Sequence, residues 1–361
     1  MPTVTATAMA TVNRVDKVDK EDLPRIPALV DPQRRRIDYL RVSVTDRCNY
    51  RCTYCIPEDG VDHVARADVL TFEEIAALVR CFVRLGVRRV RLTGGEPTVR
   101  RDLCDLSRML RQISDLEELS LSTNGHLLAE LAAPLRAAGI DRLNVSLDSL
   151  DGEKFRRITG RGDLGRVLAG IEAARAADFA SIKINTVAVK GFNDDEVGAL
   201  CSWAWDRGLV PRFIEQMPMA GGQMYVPGTL LSAAEIRALI AASAPGGTVA
   251  PDDGGEARGG GPARYFRLAV PGVLARRFGI ISPMTEHFCT TCNRVRLSAV
   301  GALHACLAYD DAVDLRGPLR ADGEGAVVEA IARTIAGKRE GHNFGLIGLG
   351  GPRKAMVQIG G

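Results

Sequence analysis

The chain alternates strand-like and helix-like segments six times between about residue 38 and residue 215. Apolar runs at 40–44, 87–92, 119–122, 143–147, 182–189 and 211–215 are typical of strands, and amphipathic helical patterns separate them. The first of these helices opens at Thr71 with a capping-box sequence that ends in Glu74. Six β/α units predict a parallel sheet with helices outside it. Because polar residues gather at the C-terminal ends of the strands, we predict an α/β fold that forms a partial (β/α)6 TIM-like barrel with its chemistry at that edge.

The alternation of strand and helix patterns ends after about residue 220, so we divide the 361 residues into three predicted parts. Residues 1–35 lack clear periodicity and an apolar signal-peptide core, and they are too acidic for a transit peptide, so we expect a disordered leader. Residues 36–220 form the predicted barrel. Residues 221–361 form a C-terminal region in which a Gly-rich, charged loop is expected at 252–262.

The first of two cysteine trios follows the first predicted strand directly. Cys48, Cys52 and Cys55 form a C-x3-C-x2-C motif. Three thiolates this close hold three corners of a metal cluster and leave one position open, which is where substrate chemistry takes place. A structural zinc ion needs four ligands, and the nearest histidine is His63, so the motif favours iron–sulfur over zinc.

The second trio, Cys289, Cys292 and Cys306, has the spacing C-x2-C-x13-C and also stops at three cysteines. Either His287 or His304 could complete a zinc site here, so spacing alone leaves zinc and iron–sulfur open. The three other cysteines fall singly in helical patterns and are expected to be small buried hydrophobic residues. An odd total of nine cysteines in clusters indicates a reducing cytoplasm with metal sites.

A glycine pair follows the second predicted strand, in Thr93-Gly94-Gly95-Glu96-Pro97. Paired glycines let a backbone approach a ligand closely, and a carboxylate binds a ligand amine. Alone, this segment is typical of a plain turn. At the end of a strand that lies next to the first cysteine motif, it indicates part of a binding site.

Charge argues against two classes of partner. The net charge of +3 is too small to indicate nucleic acid or a membrane surface, and no apolar run is long enough to span a bilayer. We therefore expect neither nucleic acid nor membrane as a partner. A zinc-bearing nucleic-acid-binding protein, one alternative for the cysteine motifs, would carry a basic stripe and a high pI.

The first trio, with Tyr54 before its last cysteine, and the Gly-Gly-Glu-Pro segment resemble the radical S-adenosylmethionine superfamily. The resemblance implies a 4Fe–4S cluster on Cys48, Cys52 and Cys55. The open iron of such a cluster chelates the amine and carboxylate of S-adenosylmethionine. One-electron cleavage then gives a 5′-deoxyadenosyl radical that abstracts hydrogen from the substrate.

The second trio with the following Asn-Arg-Val-Arg, and the tail at 356–361 that ends in Gly-Gly, resemble the GTP 3′,8-cyclases. These lyases perform the first step of molybdenum cofactor biosynthesis, and the resemblance runs from about residue 36 to 361. It implies a second 4Fe–4S cluster on Cys289, Cys292 and Cys306, whose open iron meets the guanine of GTP. It also implies removal of the ribose 3′ hydrogen and cyclisation to (8S)-3′,8-cyclo-7,8-dihydroguanosine 5′-triphosphate.

Binding residues follow from the same resemblance, motif by motif. The residues implied to contact S-adenosylmethionine are Tyr54 (by backbone), Gly95, Ser146 and Met217. Those implied to contact GTP are Arg41, Arg91, Ser122, Lys183, Arg294, Val295 and Arg296. Ser122 stands where the family more often has Thr. The implied catalytic tail consists of Gly360 and Gly361.

The residue types support these assignments. A charge inside an otherwise apolar strand, as at Arg41, Arg91 and Lys183, is costly to bury without a partner, so a role facing the site is plausible. Arg294 and Arg296 stand at alternate positions and present both guanidinium groups on one face, where they suit a triphosphate.

Further partners are implied by resemblance alone: an external one-electron reductant, a second copy of the chain in a homodimer, and a downstream cyclic pyranopterin monophosphate synthase that receives the product. One alternative is a peptide-modifying radical enzyme with an auxiliary cluster. Such an enzyme usually has more cysteines in its C-terminal region, and it would not need the Cys-Asn-Arg-Val-Arg run or the terminal Gly-Gly.

Overall fold

A computed structural model describes residues 29–220, 225–252, 261–345 and 350–360. Its strands are β1 (Tyr39–Ser43), β2 (Arg89–Thr93), β3 (Glu118–Thr123), β4 (Arg142–Ser146), β5 (Ser181–Ala188), β6 (Val210–Glu215), β7 (Thr248–Pro251), β8 (Arg264–Val270), β9 (Val273–Ile281), β10 (Arg294–Leu297), β11 (Ala302–His304) and β12 (Val313–Asp314). Its α-helices are α1 (Phe72–Arg84), α2 (Leu103–Arg111), α3 (Leu128–Ala137), α4 (Gly152–Thr159), α5 (Leu164–Ala176), α6 (Val197–Trp205), α7 (Ala233–Ala242), α8 (Arg316–Ala321) and α9 (Glu324–Ala336).

All twelve strands join one sheet in the order β12-β11-β10-β1-β2-β3-β4-β5-β6-β9-β8-β7. The six strands predicted from the sequence lie in chain order at its centre. The C-terminal region adds β10 parallel to β1 at one side and β9 parallel to β6 at the other. The sheet is open, because β12 and β7 do not pair with each other. The predicted α/β partial barrel is confirmed, and strands from the predicted C-terminal region extend it.

Local sequence explains the first helix and also α4, a helix of the barrel region that the pattern did not predict; α7, α8 and α9 of the C-terminal region were not predicted either. Thr71 and Glu74 form the predicted capping box, with Glu74 N donating to Thr71 Oγ1 at 3.2 Å. Helix α4 has only eight residues, of which three are buried. Asp151 caps α4 by accepting hydrogen bonds from two backbone N–H groups.

The predicted disordered leader is wrong for residues 29–35. Leu29 is buried and its backbone N–H donates to the Leu85 carbonyl at 3.1 Å, while Asp31 and Arg35 form a buried ion pair. The sequence pattern does not indicate this order, because Arg35 donates to the carbonyls of Cys289 and Glu340, which are far away in the chain. Residues 1–28 and most of the predicted loop at 252–262 lie outside the described residues. Among the helices of the described ranges, none combines the length and the apolar character that a membrane crossing requires.

Candidate active site

The sheet borders a cavity of about 660 Å³ whose wall consists of alternate residues from neighbouring strands. Arg41 of β1, Ser122 of β3 and Lys183 of β5 line the cavity, while Leu40 and Val42 belong to the hydrophobic core. Side chains alternate across a strand, so one face carries the polar site and the other the core. The cavity wall includes every predicted site residue except the two tail glycines: Arg41, Cys48, Cys52, Tyr54, Cys55, Arg91, Gly95, Ser122, Ser146, Lys183, Met217, Cys289, Cys292, Arg294, Val295, Arg296 and Cys306.

The two cysteine trios lie at opposite ends of this cavity. Strands β1 and β10 are parallel, with Tyr39 beside Arg294 and Val42 beside Leu297. The first trio follows the carboxyl end of β1, whereas Cys292 precedes the amino end of β10. A strand advances about 3.3 Å per residue, so the length of β1 alone separates the two cysteine loops by roughly 13 Å. That separation leaves room for a ligand between them.

Hydrogen bonds hold the first cysteine loop in place. The backbone N–H of Arg51 donates to the Thr159 carbonyl at the end of α4, at 2.9 Å. The Arg51 guanidinium also donates to the Cys48 carbonyl at 2.9 Å. The Tyr54 hydroxyl donates to Asp148 Oδ2 at 2.7 Å, which ties the loop to the segment after β4. These bonds orient the loop through protein groups alone.

The thiols of the first trio lie in surroundings that disfavour negative charge. Burial raises the pKa of Cys48 to about 11 and that of Cys55 to about 12, and it raises the pKa of Cys52 well above its ordinary value. The nearby carboxyl of Asp148 adds to the effect on Cys52, and burial also raises the pKa of Asp148 to about 6. Metal binding here must therefore displace protons from neutral thiols.

The glycine pair after β2 serves the contact between two loops of the protein. A Cβ atom on Gly94 would lie 2.6 Å from the Thr45 carbonyl oxygen, and one on Gly95 would lie 2.3 Å from that of Arg47. The Gly95 N–H donates to the Thr45 carbonyl at 2.7 Å. The glycines thus let this segment dock on the first cysteine loop, while Gly95 also lines the cavity.

Glu96 is a buried carboxylate that also lines the cavity. The sequence predicts that it binds a ligand amine, and its described hydrogen bonds hold it in place beside the first trio. Its donors are Thr98 N at 3.0 Å, Thr98 Oγ1 at 2.6 Å, Thr123 Oγ1 at 2.7 Å and Asn124 N at 2.6 Å. Glu96 therefore connects the ends of β2 and β3 beside the first trio.

The second trio comes from three short segments. Cys289 lies in a 3-10 turn, Cys292 precedes β10, and Cys306 follows β11. Burial would raise the pKa of Cys292, but the positive charges of Arg294 and Lys338 bring it down to about 7. Burial raises the pKa of Cys289, so within the second trio it is Cys292 whose electrostatic setting is opposite to that of the first trio.

Neither cysteine trio is arranged as a ready-made single-ion site in the described residues. Within the described ranges, no three Cys, His, Asp or Glu side chains converge on one metal-ion position. Thiolates on one zinc ion lie about 2.3 Å from it and hence within roughly 4 Å of one another. Cysteines of a 4Fe–4S cluster bind different irons and stand farther apart. His287 and His304 accordingly join neither trio in a zinc-like group, and His287 Nδ1 donates to the Pro283 carbonyl at 2.7 Å.

Seven cationic side chains line the cavity. Arg277 pairs with Asp252, and the other six are Arg41, Arg91, Lys183, Arg212, Arg294 and Arg296. In the described part of the chain, four nitrogens of these six side chains are buried without a hydrogen-bond partner: Arg41 Nε, Arg91 Nη1, Arg212 Nη2 and Arg294 Nη1. Unpaired buried donors are rare in native proteins and mark a place where a ligand completes the hydrogen bonds.

Crowding of like charges accompanies this burial. Burial and neighbouring arginines lower the pKa of Arg41 well below its ordinary value and that of Arg296 to about 10. Burial also lowers the pKa of Lys183. A ligand that carries several negative charges would relieve this repulsion, and guanidinium groups match phosphate oxygens in geometry. The site therefore fits a polyphosphate.

The remaining predicted contacts occupy the same wall. Ser122 pairs in register with Asn144 of β4, and Ser146 pairs with Asn185 of β5. Met217 follows β6 directly. Ser146 and Met217 lie at or after the carboxyl ends of their strands and therefore on the side of the first trio. Ser122 lies between the two trios.

The C-terminal tail reaches the same cavity wall. The Gly360 carbonyl accepts hydrogen bonds from Thr93 Oγ1 at 3.1 Å and from Arg296 Nη1 at 3.0 Å. Gly360 has a φ of +84°, and a Cβ atom there would lie 3.3 Å from Ser43 Cβ. Glycine is favoured by both the backbone conformation and the space. Gly361 lies outside the described residues.

Sequence reasoning missed two residues that line the site. Arg212 in β6 donates through Nε to Asn185 Oδ1 at 2.9 Å, and its charge inside an apolar strand is the signal that singled out Arg41. Tyr265 of β8 lies beneath the Arg277 guanidinium, 4.0 Å from the ring centre, and no sequence pattern in that region pointed to it.

Comparisons with known proteins agree with this geometry. A family model described as the radical SAM superfamily matches residues 42–204, and one described as Molybdenum Cofactor Synthesis C matches residues 210–344. A GTP 3′,8-cyclase of Rhodopseudomonas palustris (strain TIE-1) is 47% identical over 325 residues, which cover 88% of this chain and 90% of that protein. A GTP 3′,8-cyclase of Mesorhizobium japonicum is 45% identical over 325 residues, covering 88% and 93%.

Among solved structures, Streptococcus suis SuiB bound to precursor peptide SuiA matches with a TM-score of 0.55 and 14% identity. The match covers 75% of this chain and 60% of SuiB. At that identity the likeness shows a shared fold alone, so it does not support peptide modification by this chain.

Proposed function

Because this chain belongs to the GTP 3′,8-cyclase family of radical S-adenosylmethionine enzymes, we propose that it cyclises GTP to (8S)-3′,8-cyclo-7,8-dihydroguanosine 5′-triphosphate. This reaction is the first step of molybdenum cofactor biosynthesis. The family assignment made from the cysteine motifs and the tail is confirmed by the relatives. Its cofactors are two 4Fe–4S clusters and S-adenosylmethionine.

One observation carries the proposal: a single cavity has a cysteine trio at each end and buried cations between them. Cys48, Cys52 and Cys55 would hold the first cluster, and Cys289, Cys292 and Cys306 the second. When bound, the clusters and S-adenosylmethionine supply the one-electron chemistry that removes the ribose 3′ hydrogen atom. The residues between the trios would hold the substrate.

The cationic side chains would bind the triphosphate. Arg41, Arg91, Lys183 and the pair Arg294 and Arg296 carry the charge that a triphosphate compensates, and their strands are rigid elements of one sheet. With the guanine held toward the second trio, the ribose would lie between two fixed ends. Fixed ends reduce the entropy lost when carbon 3′ approaches carbon 8 of the base.

The tail supplies a polar boundary to the same space. Gly360 shares Arg296 with the proposed triphosphate site, and its hydrogen bond to Thr93 brings the tail beside the segment that docks on the first cysteine loop. We propose that Gly360 and Gly361 orient the substrate for cyclisation, with Tyr54, Gly95, Ser146 and Met217 contacting S-adenosylmethionine.

The wider setting is part of the same proposal. All nine cysteines are free, which suits the reducing cytoplasm. An external reductant would provide the electron, and the product would pass to a cyclic pyranopterin monophosphate synthase. The family resemblance supports a homodimer.

The test is an anaerobic incubation of iron-loaded protein with GTP, S-adenosylmethionine and a reductant, analysed by mass spectrometry. We expect 5′-deoxyadenosine and the cyclised nucleotide together. A variant without Gly360 and Gly361 should keep both clusters and still form 5′-deoxyadenosine, while the cyclised nucleotide is lost. Iron-loaded wild-type protein that forms neither compound would refute the proposal.

A further inference from the structure

A buried lysine stands beside the second cysteine trio. Lys338 follows α9 and is only 3% exposed. Its ammonium donates to the carbonyls of Ala305 and Arg294, the latter at 3.4 Å. Among the described residues, no carboxylate forms an ion pair with it. A buried charge without an opposite charge is costly, so this site calls for an anion.

The two carbonyls belong to the segments that carry cysteines. Ala305 directly precedes Cys306, and Arg294 comes two residues after Cys292. Lys338 therefore bridges two of the three segments that form the trio. Its own segment is anchored by α9, which packs on α1 at the outer side of the barrel.

A second buried cation supports the remaining cysteine, but its charge is already balanced. Arg35 uses all five of its N–H donors, and its ion-pair partner Asp31 is fully buried. The acceptors are Asp31 Oδ2, Gln33 Oε1, Cys289 O, Arg339 O and Glu340 O. Of the two cations, Lys338 alone offers a charge that is not neutralised by a carboxylate.

We propose that Lys338 is a positioning residue of the second cluster, whose ammonium holds the Cys292 and Cys306 segments together and balances the negative charge of the thiolates. This inference rests on the second cluster of the proposed function. Three thiolates outweigh the charge of an oxidised 4Fe–4S core, and each added electron makes the cluster more negative. A nearby ammonium stabilises the reduced form more than the oxidised form, so its loss lowers the reduction potential.

The test uses the full chain with Cys48, Cys52 and Cys55 changed to Ala, so that only the second cluster is observed. In that background, Lys338→Met removes the charge and keeps the length of the side chain. Lys190→Met is the matched control, because Lys190 is an exposed lysine already paired with Glu235. Iron content, a redox titration followed by electron paramagnetic resonance, and the melting temperatures of the iron-free and iron-loaded proteins are measured.

We expect Lys338→Met to shift the one-electron equilibrium toward the oxidised cluster at least tenfold, which is about 59 mV, or to release the iron. The iron-free protein should still fold, because α9 packs on α1 and the buried pair of Arg35 and Asp31 still anchors the Cys289 segment. Lys190→Met should change none of these readouts. An unchanged potential with full iron content would overturn the inference, as would an iron-free Lys338→Met protein that does not fold. If the parent background itself binds no iron, the proposed second cluster fails instead.

Discussion

The two cysteine trios use similar ligands, but Cys292 of the second trio lies in an electrostatic setting opposite to that of the first trio. The first lies among buried and acidic groups that raise the pKa values of Cys48 and Cys55 to about 11 and about 12. In the second, burial is outweighed by Arg294 and Lys338, and the pKa of Cys292 falls to about 7. The surroundings of the first trio thus disfavour negative charge on its thiols, whereas those of Cys292 favour it. The sequence motifs alone do not reveal this difference in charge environment, because each motif consists of three closely spaced cysteines.

The largest expected effect separates the roles of the two sites. Cys55→Ala should abolish 5′-deoxyadenosine and cyclised nucleotide alike, because the first cluster is the proposed place of S-adenosylmethionine cleavage. Cys292→Ala should keep 5′-deoxyadenosine formation but lower the cyclised nucleotide on the order of a thousandfold, because the substrate loses its orientation. Both products are quantified in one assay. Equal loss of 5′-deoxyadenosine in the two variants would mean that the sites do not divide the work in this way.

The thiol pKa values predict a large difference in reactivity in the metal-free protein. Only the thiolate is alkylated, and a pKa of about 7 leaves Cys292 mostly ionised at pH 8, whereas a pKa of about 11 leaves Cys48 mostly neutral. We expect iodoacetamide at pH 8 to label Cys292 roughly tenfold faster, after allowing for its lower intrinsic nucleophilicity. Peptide mass spectrometry measures both rates. Lowering the pH through 7 should slow Cys292 labelling, and similar rates for both cysteines would contradict the electrostatic contrast.

The contacts that anchor the two cysteine loops predict the next effect, which is on the free energy of unfolding. Arg35→Met would leave Asp31 buried without its partner, and both side chains are almost fully buried, so we expect about 3–5 kcal/mol of destabilisation. Tyr54→Phe removes one hydrogen bond to Asp148 and should cost about 1 kcal/mol. Urea unfolding of the metal-free variants compares the two. A larger loss for Tyr54→Phe than for Arg35→Met would reverse the predicted order.

The smallest expected effect concerns the space around Gly95, compared with that around Gly341 at the second site. Gly95→Ala would bring a Cβ to 2.3 Å from the Arg47 carbonyl oxygen, so the first cysteine loop must shift at a cost of about 1–3 kcal/mol. Gly341→Ala is the control at the second site, where the nearest atom, Cys289 Cβ, lies 3.6 Å away. We expect Gly95→Ala to lose iron from the first cluster only and Gly341→Ala to keep both clusters. Iron content and cluster spectroscopy are measured for both variants. Full iron retention in Gly95→Ala would show that the first cysteine loop tolerates the shift.

Local patterns explain why much of the fold could be predicted. The capping box at Thr71, the apolar strands and the cysteine spacings are short-range features, and the structure contains the strands close to where the sequence indicated them. Charges such as Arg41 inside apolar strands pointed toward the cavity that they line.

The missed features depend on contacts between distant parts of the chain. Arg35 looked like part of a disordered leader because its partners lie about 250 to 300 residues away. Lys338 lies in a region where the sequence indicated no element, and only the fold brings it to Ala305. The hydrogen bonds that Glu96 accepts from Thr123 and Asn124, at the end of β3, also join segments that are distant in the chain. Such partners leave no periodic trace in the sequence.

The most direct test of the central claim, that one cavity joins the radical source to GTP, uses GTP deuterated at carbon 3′. In an anaerobic reaction of the wild-type protein we predict that deuterium appears in 5′-deoxyadenosine in step with the cyclised nucleotide. In Cys292→Ala, 5′-deoxyadenosine should form without deuterium. Deuterium-free 5′-deoxyadenosine from wild-type protein, with the label still on carbon 3′, would contradict the account.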